Sequence, residues 1–385
     1  MVITKAHFIY LLTSASIFVS FTYIPIFMDE LGLGKEHVTL VAAFYSFFLF
    51  LSSSLAGRGS DRYGRRIFLY LGLLLSTVAF TSQFFASDFL SVLFARLLAG
   101  FSVGIYLPAL IAYAYENRSL MGKFSSLGAL GWGLGTIVGG IVASFSTGYV
   151  FMMAGLLYFV GFLVALKLPT SNHNGNDNLE TFTAQELTPS FTVIKNNLAV
   201  YTGLFLRHSA AFALWTLWPL FLKGLGFDNF QIGIVQATNS LTQFVAMFFI
   251  SDRIRAEVLQ AAGSIISALT FITFLLTTNF YLFLITQVFL GISWTAMYVG
   301  AVKYVTEKNQ MNERGTASGF LNSTISIAGL AGPAYVAVFL FLFGDAVIYF
   351  VLIVFAAMMS FISFFAYIGL LKLTDGRKET EIIPS

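Results

Sequence analysis

The chain has no cysteine in 385 residues, only 7 prolines, and only 10% charged residues. Without cysteine there is no disulfide, no thiol chemistry and no cysteine-based metal site. Soluble domains carry roughly 25% charged residues, so this chain has too little polar surface to coat a globule in water. It also lacks a nucleotide-binding loop, a His-Glu zinc pattern and a nucleophile–base pair. Those absences point away from an enzyme, a metal or an organic cofactor, and no nucleic-acid partner is expected. What is abundant is apolar: 57% hydrophobic residues, with 44 Phe and 33 Gly. Aromatic bulk and small residues together suit helices packed in lipid, where glycine lets backbones approach. The first apolar stretch, about residues 6–28, is long for a signal core and lacks a small-x-small cleavage site, so it reads as a retained helix.

A spanning helix needs roughly 20 mostly apolar residues. Twelve such stretches are expected, at 6–28, 38–57, 67–87, 89–114, 122–145, 149–168, 198–222, 231–250, 257–278, 280–304, 316–342 and 345–371. The one long connection, 169–197, contains the polar run Ser171-Asn-His-Asn-Gly-Asn-Asp-Asn178 and divides the spans six and six. Of the 21 Lys and Arg, Lys35 and Lys223 fall on one side, Arg96 and Arg207 fall inside spans, and 17 fall on the other side. That asymmetry predicts a plasma-membrane protein with both termini and the central loop in the cytoplasm.

The two halves echo each other. Gly57-Arg-Gly-Ser-Asp61-Arg62-Tyr-Gly64-Arg65-Arg66 lies between spans two and three, and Ser251-Asp252-Arg253-Ile-Arg255 lies 191 positions later. Pro25 to Gly32 parallels Pro219 to Gly226 at an offset of 194, and Arg96-Leu-Leu-Ala-Gly100-Phe-Ser102 parallels Gln287-Val-Phe-Leu-Gly291-Ile-Ser293 at 191. Several matches in one order at nearly one offset argue for a tandem repeat. The expected fold is all-α and integral to the membrane, with two pseudo-symmetric six-helix bundles at 1–168 and 198–385 joined by 169–197.

On these residues the chain resembles the major facilitator superfamily over its full length. Gly57 to Arg66 fits that family's loop signature, and Arg96 with Gly100 is similar to a second one. Gly131, Gly135, Gly139 and Gly140 resemble the glycine-rich signature common in exchangers, with Thr136 where Pro is usual. The resemblance implies two bundles that rock about a central cavity. It also implies a cytoplasmic latch, with Asp61, Arg65 and Glu116 as members. Arg62, Gly64 and Arg118 belong to the same mouth, and Asp252 with Arg253 would form a weaker latch in the second half. The bland alternative is a charged loop that only sets topology.

Arg96 and Arg207 each sit well inside a span. A central arginine costs roughly 2.5–3.5 kcal/mol on insertion scales, so each should face a wet cavity or a partner. All 18 Asp and Glu lie in loops or near span ends, so neither arginine has an embedded acid. Each is therefore a substrate or proton contact, or a brace between helices. His208, beside Arg207, is the candidate proton carrier or else a core histidine. Span eight places Gln236, Asn239 and Gln243 on one face, and span ten places Gln287, Gly291, Trp294 and Tyr298 on one face. With Trp215 and nearby Trp218 of span seven, these are candidates for a cavity wall. Asn239, Gln287 and Trp294 are assigned to the wall, and Gln243 and Asn322 to interhelical glue.

The function that follows is secondary active transport of a small organic solute by alternating access, with protons as the expected coupling ion. Efflux of an amphipathic compound fits the span-five glycines and the aromatic residues. An importer or exchanger of an organic anion or sugar fits the embedded cations, and a non-transporting membrane sensor is the alternative of another class. The expected surroundings are lipid and solute, with the chain working as a monomer.

Overall fold

A computed structural model describes residues 4–117, 121–169, 191–250, 254–310 and 313–381. Every regular element among them is helical: α1 Lys5–Glu30, α2 Lys35–Tyr63, α3 Arg65–Ser82, α4 Phe89–Glu116, α5 Met121–Ala143, α6 Tyr149–Leu166, the short α7 Phe191–Asn196, α8 Leu198–Gly224, α9 Asn229–Ile250, α10 Ala256–Thr273, α11 Phe280–Glu307, α12 Arg314–Phe343 and α13 Ile348–Glu381. The twelve long helices fall on the twelve expected stretches. Ten of them, among the described residues, are apolar enough to cross a membrane. The other two, α8 and α9, are 27 and 22 residues long. Arg207, His208 and Lys223 lower the apolarity of α8.

Helix ends show the duplication at atomic detail. Gly32 and Gly226 both take positive φ, +74° and +88°. Each closes its helix with the same pair of bonds: Leu33 N–H to the Met28 carbonyl and Gly32 N–H to that of Asp29 after α1, and Phe227 N–H to Leu222 and Gly226 N–H to Lys223 after α8. Asp29 and Lys223 therefore hold the same station on α1 and α8. Asp88 caps α4 by accepting the Ser91 N–H at 3.0 Å, a bond that holds its carboxyl below the usual carboxylate range. Asn279, 191 positions later, caps α11 by accepting from Tyr281 at 2.9 Å.

Packing repeats in the same way. In the first half α4 packs on α2 and α3, and α1 on α5 and α6; in the second, α11 packs on α9 and α10, and α8 on α12 and α13. The halves meet through α5 on α9, α2 on α12, and α1 on α8. Glycine sets two of the closest crossings. A Cβ on Gly100 would strike the Tyr45 carbonyl, and one on Gly291 would sit 2.8 Å from the Asn239 carbonyl. Ser76 donates to Ser102 at 2.9 Å in one half, and Ser267 pairs with Ser293 at 2.5 Å in the other. Outward, the helices show Phe341, Phe365 and Phe94, exposed at 88%, 68% and 66%, an apolar surface that lipid covers.

Gly100→Val and Gly291→Val should force α2 from α4 and α9 from α11, each costing about 1–3 kcal/mol. The measurement is the apparent melting temperature in detergent. Gly319→Ala, where nothing lies within 4 Å, should leave it unchanged or raise it slightly.

Candidate functional site

Mid-helix in α8, Arg207 is wholly buried. Its Nε donates to Ser267 Oγ at 2.8 Å, and Ser267 is paired in turn with Ser293. The guanidinium carbon lies 5.5 Å from the centre of the Trp294 ring, 5.6 Å from Phe271 and 5.9 Å from Trp215. Among the described residues, Nη1 and Nη2 have no hydrogen-bond partner. The His208 ring stacks on Trp294 at 4.3 Å and 14°, and Trp294 stacks on Tyr298 at 5.8 Å. Phe212 meets the histidine edge-on at 4.7 Å. Trp215, Trp294 and Tyr298 remain half-buried while Arg207 and His208 are buried. The structure thus gathers Arg207, His208, Trp215, Trp294 and Tyr298 into one cluster. Trp218 does not join it: its ring packs into the core against Phe221, Phe274 and Phe283. Ser267, Phe271 and Phe212 were missed, because nothing in their local sequence marks them; for Ser267 the one available signal was its repeat spacing from Ser76.

The amides form a separate ladder between α9 and α11. Gln243 Nε2 donates to Asn239 Oδ1 at 2.6 Å, and Asn239 Nδ2 donates to the Gln287 carbonyl at 3.4 Å. Thr295 Oγ1 donates to the Gln243 carbonyl at 3.5 Å. Asn239, assigned to the wall, is bonded within the same tie as Gln243, assigned to glue. The Gln287 side chain keeps an unpartnered, buried Nε2.

Arg96 belongs to a third network, in the first half. Its Nη1 donates to Ser20 Oγ at 3.0 Å, Ser20 donates to Gln83 Oε1 at 3.1 Å, and the guanidinium lies over Tyr45 at 4.1 Å. That arrangement joins α4 to α1 and α2. Among the described residues, no carboxylate forms an ion pair with Arg96 or Arg207.

At the end of the bundle where α2 meets α3, Arg65 pairs with Glu116 at 2.9 Å and its Nη1 donates to Ser60 at 2.7 Å. Arg62 lies over the neighbouring Tyr63 ring at 5.4 Å. Gly64 turns the chain between the helices at φ +95°, a conformation that excludes most side chains. Gly57 has open space around it. Arg118, Asp252 and Arg253 lie outside the described residues, as does the side chain of Asp61.

The α5 glycines serve two neighbours. Gly131, Gly135 and Gly139 face Leu11, Ala15 and Val19 of α1, while Gly140 faces Asn229 and Phe230 of α9 across the halves. At this opposite end of the bundle four polar ties cross between the halves. Lys223 pairs with Asp29 at 3.1 Å and Lys35 with Asp345 at 2.8 Å. Tyr23 donates to the Asn229 carbonyl at 2.8 Å, and Asn229 Nδ2 donates to the Ala143 carbonyl at 2.8 Å.

Duplicated apolar helices, a buried cation in each half and polar ties across the seam define a multi-pass membrane transporter. The model of the Major Facilitator Superfamily matches residues 6–333 and 200–382, and the chain belongs to that family. It is 28% identical over 274 residues to the class E tetracycline resistance protein of Escherichia coli, covering 62% of this chain and 67% of that one. It is 27% identical over 321 residues to the class B protein of Escherichia coli, covering 79% of each. Its fold matches the crystal structure of the nucleoside transporter NupG with a TM-score of 0.77 at 13% identity, over 96% of this chain and 98% of that one.

Arg96→Met should remove both the Ser20 bond and the Tyr45 contact, lowering the apparent melting temperature by the equivalent of about 1–3 kcal/mol. Ser20→Ala should cost less, and the double variant should cost less than the sum of the two, exceeding Arg96→Met only by the lost Ser20–Gln83 bond. Fully additive losses would show that the two groups act separately.

Proposed function

We propose that the protein is a proton-coupled exporter of small amphipathic compounds, working by alternating access. In this reading 1–168 and 198–385 are the two rocking bundles and 169–197 is the cytoplasmic connection. All twelve long helices cross the plasma membrane, both termini are cytoplasmic, and the monomer is the working unit. The observation that carries it is the position of the polar ties between the halves. The Asp29–Lys223 and Lys35–Asp345 pairs and the two Asn229 bonds all lie at the end bearing Lys35 and Lys223, which the charge asymmetry assigns to the outside. Closure at that end leaves the cytoplasmic side for solute entry. The resistance proteins among the relatives support efflux. His208 is the proposed proton carrier, since histidine alone among ordinary side chains titrates between pH 5 and 8, and it stacks directly on the aromatic cluster. Arg65 with Glu116 is the proposed cytoplasmic latch, to which Gly57, Asp61, Arg62, Gly64, Arg118, Asp252 and Arg253 contribute. Import or exchange of an organic anion is the second reading, favoured by the unpartnered Arg207 nitrogens.

The outer ion pairs are partly exposed, so each contributes about 0.2–1 kcal/mol. That biases a two-state equilibrium up to about fivefold, which suits a closure that must reopen each cycle. Thr136 lies buried in the α5–α9 seam, and the cysteine-free chain gives no labelling background. A cysteine replacing Thr136 should react faster with an impermeant maleimide in Asp29→Lys than in wild type. The rate should fall again in Asp29→Lys with Lys223→Asp; equal rates in all three would remove the outer closure.

In proteoliposomes, an imposed pH gradient should drive uphill movement of tetracycline. His208→Gln should abolish that accumulation and leave downhill counterflow intact. Accumulation indifferent to the gradient would end the proton reading, and no movement of any solute would end the transporter reading.

A further inference from the structure

We propose that Arg207 binds an acidic group on the transported solute, a carboxylate or equally acidic oxygen attached to a planar ring system. The proposal rests on the transporter reading above and names its substrate class. The Ser267 bond at Nε holds the guanidinium plane and leaves the end-on fork, Nη1 and Nη2, bare and fully buried. That fork matches the two oxygens of a carboxylate. A buried cation with unsatisfied donors is costly unless something supplies both acceptor and counter-charge. The surrounding Trp215, Phe271 and Trp294 rings offer π faces, which attract the cation but give the N–H groups no lone pair. Among the described residues, Asp345, Glu116, Asp29 and Glu257 pair with other cations, and no carboxylate pairs with Arg207. A neutral sugar or amide could accept a hydrogen bond there and would still leave the charge uncompensated.

Arg96 makes the contrast. It is also buried with no ion-paired acid among the described residues, and its Nε is unpartnered too, yet one of its terminal nitrogens is already committed to Ser20, so its end-on fork is not free. At Arg207 the second open polar atom is His208 Nδ1, buried and unpartnered one residue along. The half-buried Trp294–Tyr298 stack supplies the platform for the solute's ring, which places its acid toward Arg207.

The test uses the purified full chain and matched probes: benzoate, 2-naphthoate and anthracene-9-carboxylate, each against its neutral amide, by equilibrium dialysis at neutral pH. At least one acid should bind wild type about 10- to 100-fold more tightly than its amide. Arg207→Gln should erase that preference by lowering the acid's affinity to that of its amide, and Arg207→Lys should keep part of it, since the charge stays and the fork goes. Equal binding of every acid and its amide to wild type, or no binding of any acid, overturns the proposal without recourse to a variant. Retained acid preference in Arg207→Gln overturns it as well. If acids are preferred and yet no solute moves in proteoliposomes, the transporter reading fails and the Arg207 site stands. If solutes move and acids are not preferred, the site fails and the transporter stands.

Discussion

A guanidinium buried among hydrocarbon cannot be left alone, and much of this molecule is arranged around two of them. Desolvating such an ion costs several kcal/mol even after relaxation, and among the described residues no acid pairs with either one. In the first half the charge is spread over the Tyr45 face and the Ser20–Gln83 hydroxyl–amide chain. In the second it is ringed by Trp215, Phe271 and Trp294 and anchored by one serine. Both solutions draw partners from several helices at once. Each arginine is thereby a tie within its own half, and the difference between them is the number of donors left over.

Duplication explains the seam. In a bundle with a pseudo-two-fold axis, a residue near the axis meets its own repeat counterpart. Identical charges there would repel, so the same station on α1 and α8 carries Asp29 on one copy and Lys223 on the other. The pairing of α5 with α9 and of α2 with α12 is the same contact seen from the two halves. Small residues on α5 and α9, Gly140 and Gly233 among them, let those backbones approach. Short side chains and partly exposed ion pairs thus make up that seam.

The spans were legible because lipid demands an apolar run of known length, and the helices fall on those runs, most ends within six residues, with α13 running ten further, to Glu381. The duplication was legible because glycine and proline mark turns by covalent geometry, as Gly32 and Gly226 do. The cluster at Arg207 was only half legible. Periodicity put Trp294 and Tyr298 on one face of α11 and so found the platform. It could not tell that Trp218, one turn beyond Trp215, points into a phenylalanine core, nor that Asn239 is tied to Gln243 and Gln287.

By itself the sequence determined an apolar helical protein of two matching halves, with a charged mouth and two embedded arginines, since hydropathy, glycine placement and charge asymmetry are properties of the chain read in one dimension. Only the tertiary structure decided that Arg96 is held by Ser20 while Arg207 keeps two nitrogens bare, and that Asp29 meets Lys223. Those outcomes depend on which helices cross at which height, a matter of packing between segments as far apart in the chain as Lys35 and Asp345 that no local pattern encodes.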